Sequence, residues 1–440
     1  MFHSLYRRIW RWHFWVGLLA CPVLLVLSIT GALYTFREEI ENWQRSDLTF
    51  VESGSLALPA STQLAAAQLA YPDWKPTRIT LSPDSQKATV ILVDRPDKSA
   101  GTNWAVFVNP ATAAIVGDSD ARSPFFTTVL KIHRTLFAGT FGRIVVESTT
   151  SWTFVLLVSG VCLWWPRNWR HVSGVWLPRL RAKPYTVLRD LHSIAGILFA
   201  PVLGLIAFTG LFFTIVWLWS FNAVTDNAGN FPRPLLAALP SAVAGFGIQS
   251  NALDRAATEA SERYPHDTLT IQLPKKAEDS FQITARHGSG PSVSGRLSVD
   301  RSSGTVLGEQ RAENLSLPEQ ARLYVLPIHM GTIGGSGTKV LAFLACLVLA
   351  GLGISGVWMW LRRRPMGATG FPRSSDSPVP KAAVITIVWL AVVFPTVGLS
   401  LIAVLVGEWV FHRFTRRVSP NESAVDTANS PYSPQLRGPS

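Results

Sequence analysis

Charge is what this chain has least of. Only 15% of its 440 residues are Asp, Glu, Lys or Arg, against about 25% in ordinary soluble domains. A soluble chain of this length would fold as two or three domains under a charged surface, and there is too little charge to make one. Cysteine is scarce as well. Cys21, Cys162 and Cys346 all lie in apolar runs and form no CxxC pair. That excludes a Cys-ligated iron–sulfur cluster, a Cys-rich zinc site and a secreted disulfide framework. No GxGxxG sits between a strand and a helix, so no dinucleotide or flavin site is expected within the chain. Disorder is excluded for most of the length by a hydrophobic content of 48% and 17 Trp, and the mean hydropathy is +0.23.

What is present is a set of long uncharged apolar runs, at 14–36, 148–165, 191–225, 340–361 and 382–407. Each approaches or exceeds the roughly 20 residues needed to cross a bilayer. The expected spans are 12–36, 143–165, 190–219, 339–361 and 382–410. The first run is too long for a signal-peptide core and follows a poor n-region, so a retained helix is expected. The net charge of +12 is distributed as a topology signal. Arg7, Arg8 and Arg11 precede the first span, and Arg167, Arg170, Arg179, Arg181, Lys183 and Arg189 fill the 166–189 loop. Arg362, Arg363 and Arg364 open the 362–381 loop. Under the positive-inside rule residues 1–11 and these two loops are cytoplasmic, and no nucleic-acid surface is implied. Arg413, Arg416 and Arg417 after the fifth run conflict with an external C-terminus, so its side stays open. The 411–440 tail is polar and rich in Pro and Ser and is expected to be disordered. Two external segments remain, 37–142 and 220–338. Each mixes an Ala-rich helical stretch with alternating strands such as Thr89-Val90-Ile91-Leu92-Val93 and Thr270-Ile271-Gln272-Leu273. Each reads as a small α+β domain.

The chain also repeats itself. His13, Gly17, Pro22, Thr30 and Gly31 recur 179 positions later as His192, Gly196, Pro201, Thr209 and Gly210. Ile132-His133, Gly139, Arg143, Ser159-Gly160 and Trp164 recur 196 positions later as Ile328-His329, Gly335, Lys339, Ser355-Gly356 and Trp360. The external segments share Tyr71-Pro72 with Tyr264-Pro265, and the strand–turn Val108-Asn109-Pro110-Ala111-Thr112…Gly117 with Val299-Asp300-Arg301-Ser302-Ser303…Gly308. The unit is helix, external domain, helix. Both copies start on the same side, which predicts parallel repeats about an axis along the membrane normal. The predicted fold class is therefore a mainly α-helical membrane protein, with a four-helix core from an internal repeat, a fifth helix and two small α+β external domains.

These features carry a resemblance. Arg7-Arg8-Ile9-Trp10-Arg11-Trp12-His13 before a helix ending Thr30-Gly31-Ala32-Leu33-Tyr34, the paired strand–turns, and a His before each return helix resemble the PepSY-associated transmembrane family over roughly residues 5–410. Within it the chain is most similar to the di-haem inner-membrane ferric-siderophore reductases. The resemblance implies a multi-pass protein of the bacterial inner membrane, with PepSY-like domains in the periplasm. It also implies an electron path that ends on a ferric-siderophore substrate.

Of nine histidines, His3, His171, His266, His287 and His412 have no repeat partner. His13 pairs with His192, and His133 with His329. An ionisable residue in a membrane helix is a functional candidate by default, and bundle cores build cofactor sites from facing side chains. The alternative is an interfacial His satisfied by water or a carbonyl. Depth sorts the ligands: His13 and His192 begin their runs on the basic side, and His133 and His329 precede the return helices. The symmetric assignment is two haem b groups, one between each pair, with the four imidazoles as axial ligands. Bis-His ligation leaves no open position, so each haem would carry electrons only. Gly17 and Gly196 lie one turn after their His and leave room for a flat macrocycle, or else allow close helix contact. Pro327 predicts a broken turn at His329. Arg143 and Lys339, each ten residues after its His, are either boundary anchors that snorkel or contacts to haem propionates. No catalytic residue beyond the haem ligands can be named. The expected function is reduction of Fe(III) in a periplasmic siderophore complex, with release of Fe(II). Electrons would come from a separate donor on the cytoplasmic or membrane side. The rivals are a PepSY-type sensor or regulatory protein without haem, a haem subunit serving another periplasmic acceptor, and a transporter built on the repeat.

Overall fold

The computed structural model describes residues 2–52, 56–96, 103–166, 170, 172–227, 249–276, 278–364, 370–371, 381–403 and 406. The first half of the chain runs α1 (Phe2–Thr35), α2 (Arg37–Gln44), α3 (Ser46–Thr49), α4 (Ala60–Ala70), β1 (Lys75–Leu81), β2 (Thr89–Asp94), β3 (Asn103–Val108), β4 (Ile115–Asp120), α5 (Pro124–Thr135) and α6 (Gly139–Trp164). The second half runs α7 (Pro184–Leu211), α8 (Val216–Asn227), α9 (Ser250–Arg263), β5 (Thr268–Gln272), β6 (Phe281–Arg286), β7 (Gly295–Val299), β8 (Val306–Arg311), α10 (Leu317–Met330) and α11 (Gly335–Arg363).

Four helices are long and apolar enough to cross a membrane: Leu5–Thr35 within α1, then α6, α7 and α11. The protein is a multi-pass membrane protein. α1 and α7 each pack against both α6 and α11, so they face each other across the bundle. Large apolar side chains such as Leu19, Leu198 and Leu347 stay exposed along these helices, as a lipid-facing surface requires. The third span is shorter than the apolar run suggests. α7 stops at Leu211, and the chain turns before α8. The cause lies on α6, where the buried Glu147 carboxylate accepts from the backbone N–H of Ile215, Val216 and Trp217 at 2.9, 2.9 and 2.7 Å. These are the first N–H groups of α8, which have no partner inside their own helix.

The two external segments, each expected to be a small α+β domain, share one sheet. All eight strands form one sheet in the order β4-β3-β2-β1-β5-β6-β7-β8. Each half is an antiparallel meander, and the halves join through an antiparallel β1–β5 pair in which Ile79 faces Ile271. Both isoleucines are fully buried. Alternation buries every second residue of β2 and β6, and α4 and α9 cover that face. Leu64 and Ala67 on α4 share one core with Leu253, Ala256 and Ala260 on α9. The small alanines let both helices lie close to the sheet. Joining at the seam hides one open edge of each meander, which is how sheets avoid exposed edges. The halves repeat each other in detail. A bulge interrupts β3–β4 at Phe107/Val108 and β7–β8 at Ser298/Val299. A tyrosine donates to a carboxylate in each: Tyr71 to Asp118 at 2.7 Å and Tyr264 to Glu309 at 2.9 Å. Burial, reinforced by Asp118, pushes the Tyr71 hydroxyl up to about 12.

The residues after 380 form a separate unit. Here the expected fifth span, 382–410, is not one straight helix among the described residues. α12 (Lys381–Val393) is followed by a helix at Pro395–Ala403, bent from it by 119°. Pro395 has no N–H to continue the ladder and disfavours helical backbone at Phe394. The expected tail at 411–440, with His412 and Arg413, lies outside the described residues, as do Arg167 and His171.

Candidate functional site

Helix direction sets the levels of the site. The start of α1 meets the end of α6, and the start of α7 meets the end of α11. The ends of α1 and α7 meet α5 and α10. α5 and α10 are short helices begun by helix-start signals. Ser123 caps α5 before Pro124, and Ser316 forms a capping box with Glu319 at α10. His133 and His329 occupy their last turns. The expected break at Pro327 does not occur. α10 runs through Pro327 to Met330 and ends at Gly331, whose φ of 71° is the left-handed C-cap that glycine favours.

The four histidines sort into the two pairs expected from depth. The rings of His13 and His192 have centroids 6.4 Å apart, and those of His133 and His329 are also 6.4 Å apart. Each ring is held by the same device. His13 Nδ1 meets Ser159 Oγ at 2.8 Å, and His192 Nδ1 meets Ser355 Oγ at 2.8 Å. His133 Nδ1 meets Thr30 Oγ1 at 2.9 Å, and His329 Nδ1 meets Thr209 Oγ1 at 3.3 Å and the Ile206 carbonyl at 3.0 Å. Each hydroxyl already gives its one proton to its own helix: Ser159 to the Val155 carbonyl at 2.6 Å, Thr30 to Val26 at 2.6 Å, Thr209 to Leu205 at 2.9 Å and Ser355 to Leu352 at 3.1 Å. The hydroxyl oxygen can therefore only accept from Nδ1–H, as the Ile206 carbonyl must. This network assigns the Nδ1–H tautomer to all four rings and leaves the lone pair on Nε2.

The residue after each hydroxyl is glycine. A Cβ at Gly160 would stand 3.4 Å from His13 Cε1, and at Gly356 3.7 Å from His192 Cε1. At Gly31 it would stand 3.5 Å from His133 Cε1, and at Gly210 3.1 Å from His329 Cε1. A Ser/Thr-Gly dipeptide thus lets each imidazole lie close against the neighbouring helix.

A cavity of about 470 Å³ runs beside the first pair, lined by His13, His192, Gly17, Gly196, Gly160 and Gly356. Cofactor sites commonly occupy roughly 300–1,000 Å³. Gly17 and Gly196 also line it, and a Cβ on either would stand 3.7 Å from Leu156 or Leu352. Tyr6, Tyr185, Arg189 and Arg363 line it at its polar end. Asp190, missed in the sequence, ties that end together. It is buried and takes a two-pronged bond from Arg179 at 2.7 and 2.8 Å and another from Arg189 at 3.0 Å.

Arg143 and Lys339 each have a local partner. Arg143 Nη2 donates to the Phe213 carbonyl at 3.1 Å, in the turn between α7 and α8. Lys339 is buried and ion-paired with Glu39 at 2.6 Å. Both stand where helices begin at the sheet end of the bundle, and open carbonyls and a nearby acid claim them. Among the unpaired histidines, His287 bonds Asp267 at 3.1 Å.

Among the described residues no three His, Cys, Asp or Glu side chains converge on a common point. Two imidazoles alone make an incomplete set for a bare ion, which takes four or more ligands, but they suit a metal whose remaining ligands come from a macrocycle. Two imidazole–metal bonds of about 2.0 Å, with ~1.1 Å from each ring centre to its nitrogen, place the centroids about 6.2 Å apart. Both pairs match that separation. The hydroxyls stand where they would orient such an imidazole. Removing one, as in Ser159→Ala, should weaken cofactor retention by about 10–100-fold. Ser159→Thr should restore it, since Thr30 and Thr209 do the same at the other pair. Titration of the apoprotein with cofactor reads this directly.

The PepSY-associated TM region matches residues 10–363, which include the first span from Trp10 on, the other three spans and all four paired histidines. An uncharacterized protein of Pseudomonas aeruginosa is 28% identical over 262 residues, 55% of this chain and 64% of that protein. The chain therefore spans less than two thirds of that curated relative. A match over so much of the sequence, from before His13 to the end of α11, means that the chain belongs to the PepSY-associated transmembrane family.

Proposed function

We propose that the chain is a di-haem b oxidoreductase of the bacterial inner membrane that passes electrons across the bilayer to a ferric-siderophore in the periplasm. The observation that carries this reading is the pair of 6.4 Å imidazole separations, each held by the same hydroxyl–glycine device. A bare interfacial histidine needs no partner ring at that distance. His13 and His192 would hold one haem, and His133 and His329 the other. A bis-His haem supplies one-electron transfer with no open position for oxygen or substrate.

The residues around each pair serve that chemistry. The hydroxyls fix the tautomer, so each Nε2 presents its lone pair without rearrangement. The glycines allow the rings to sit flush against the helices. Apolar walls such as Leu24, Leu203 and Leu349 exclude water from the first site, which lowers the cost of reorganisation when charge moves. Chain positions 13 and 30 on α1 mark the two levels, about 25 Å apart at 1.5 Å per residue. Two stations at those depths divide the bilayer into shorter steps.

The two halves are read as parallel copies, supported by the repeated hydrogen bonds and by a sheet whose seam pairs Ile79 with its own counterpart, Ile271. The basic loops at the His13 end support a cytoplasmic location for that end, with the sheet in the periplasm. Mixing the dithionite-reduced protein with a ferric trihydroxamate tests the function. The expected outcome is re-oxidation of the haem bands, with Fe(II) appearing in a trapping dye at one equivalent per electron lost. Unchanged bands with every ferric chelate offered would contradict it.

A further inference from the structure

The two halves of the sheet differ at one matching place. In the first half the space beside Tyr71 is filled. Trp74 stacks on Tyr71 at 4.0 Å, and Trp104 donates to Asp118 at 2.6 Å. Arg95 lies over Trp104 at 4.3 Å and over Trp74 at 4.8 Å. In the second half, Trp104 corresponds by sequence displacement to Gly295, 191 positions on. The Tyr264 ring itself lies against Gly295, and beside that tyrosine is a pocket of about 470 Å³.

Its walls are polar and specific. Arg263, Tyr264 and Arg311 line one side. Glu309 holds them together, bonding Arg263 at 2.8 Å, Tyr264 at 2.9 Å and Arg311 at 2.7 Å. This leaves guanidinium N–H groups in excess, since each guanidinium has five, and Arg263 Nε is buried with no partner. Tyr324, on α10, also lines it. The loop below the pocket is tied to that helix by Ser292 N–H on the Leu323 carbonyl at 2.9 Å. Tyr324 is five residues before His329 on the same helix, a rise of about 7.5 Å.

We propose that this pocket docks a neutral, oxygen-rich metal chelate, of which a ferric trihydroxamate is the type. The inference rests on the function proposed above, whose electron exit is at His329. Donor groups in excess call for ligand oxygens. Glu309 and Glu313 offset the two arginines, so the pocket holds no large positive field that would select a multiply charged anion. Three hydroxamates on Fe(III) sum to zero charge, whereas three catecholates leave three negative charges. The Tyr264 and Tyr324 rings give apolar faces for the chelate's hydrocarbon arms. A chelate in the pocket touches the helix that carries His329.

Binding is separable from reduction by using the redox-inert Ga(III) trihydroxamate on the full-length protein in detergent. Saturable binding is expected, with Ga(III) tris-catecholate binding at least about tenfold more weakly. Tyr324→Ala and Arg311→Gln remove contacts without filling the space. Each should weaken Ga(III) trihydroxamate at least about tenfold and leave the haem absorption unchanged. Wild-type affinity in both Tyr324→Ala and Arg311→Gln overturns the site. If binding and its loss appear as expected but the wild type never reduces the ferric complex, the docking site stands and the proposed function falls.

Discussion

Replacing His13 or His192 by alanine should remove the same single haem, and replacing His133 or His329 should remove the other. Each variant is expected to keep about half of the wild-type haem absorbance. The double variant His13→Ala/His192→Ala should lose no more than either single variant. The reason is geometric. The members of each pair stand 6.4 Å apart, while the two levels are separated by about 17 helical residues, or roughly 25 Å. One metal cannot be shared between levels. Because one axial imidazole holds a macrocycle far more weakly than two, loss of either partner empties the site at ordinary cofactor concentrations. Haem content and reduced spectra of the five proteins check this. If His13→Ala and His133→Ala were each found to lose the same haem, the levels would be wrongly assigned.

The second large effect is on electron exit. In His329→Ala the haem at His13 and His192 should still be reduced by dithionite. Its oxidation by a ferric trihydroxamate should slow sharply, because the electron must then cross about 25 Å of helix unaided. The pocket beside Tyr324 is preserved in this variant, so Ga(III) trihydroxamate should bind as in the wild type. Stopped-flow absorbance at the haem bands, with an Fe(II) trap in the same cell, measures both the rate and the product. Oxidation as fast as in the wild type would show that the station at His329 is not the exit.

Much of this site was legible in the sequence, because its parts repeat at fixed displacements. His13 with His192 and His133 with His329 stood out as the only paired histidines, and the basic flanks gave their depths. Ser159-Gly160, Ser355-Gly356, Thr30-Gly31 and Thr209-Gly210 were also visible as repeats. Their common role was not, because each acts on a histidine 103 to 163 residues away, and sequence spacing says nothing of contacts between helices. Three further points were hidden for the same physical reason. The 191–225 run is apolar throughout, yet α7 stops at Leu211, because Glu147 on another helix captures the amides of α8. Lys339 and Arg143 look alike in the repeat, but Glu39 and the Phe213 carbonyl claim them locally. The fusion of two meanders depends on β1 and β5 being open edges with matching apolar faces, a pairing nearly 200 residues apart. Pro327 misled in the opposite direction. It removes one donor, but one missing bond near a helix end does not break α10.

The most direct measurement is a haemochrome count on the purified full-length protein, saturated with haem and reduced. Four histidines gathered as two pairs lead to two haem b per chain, both reducible and both low-spin. One haem per chain at saturation, or a protein with no reducible b-type spectrum, would contradict the account at its centre.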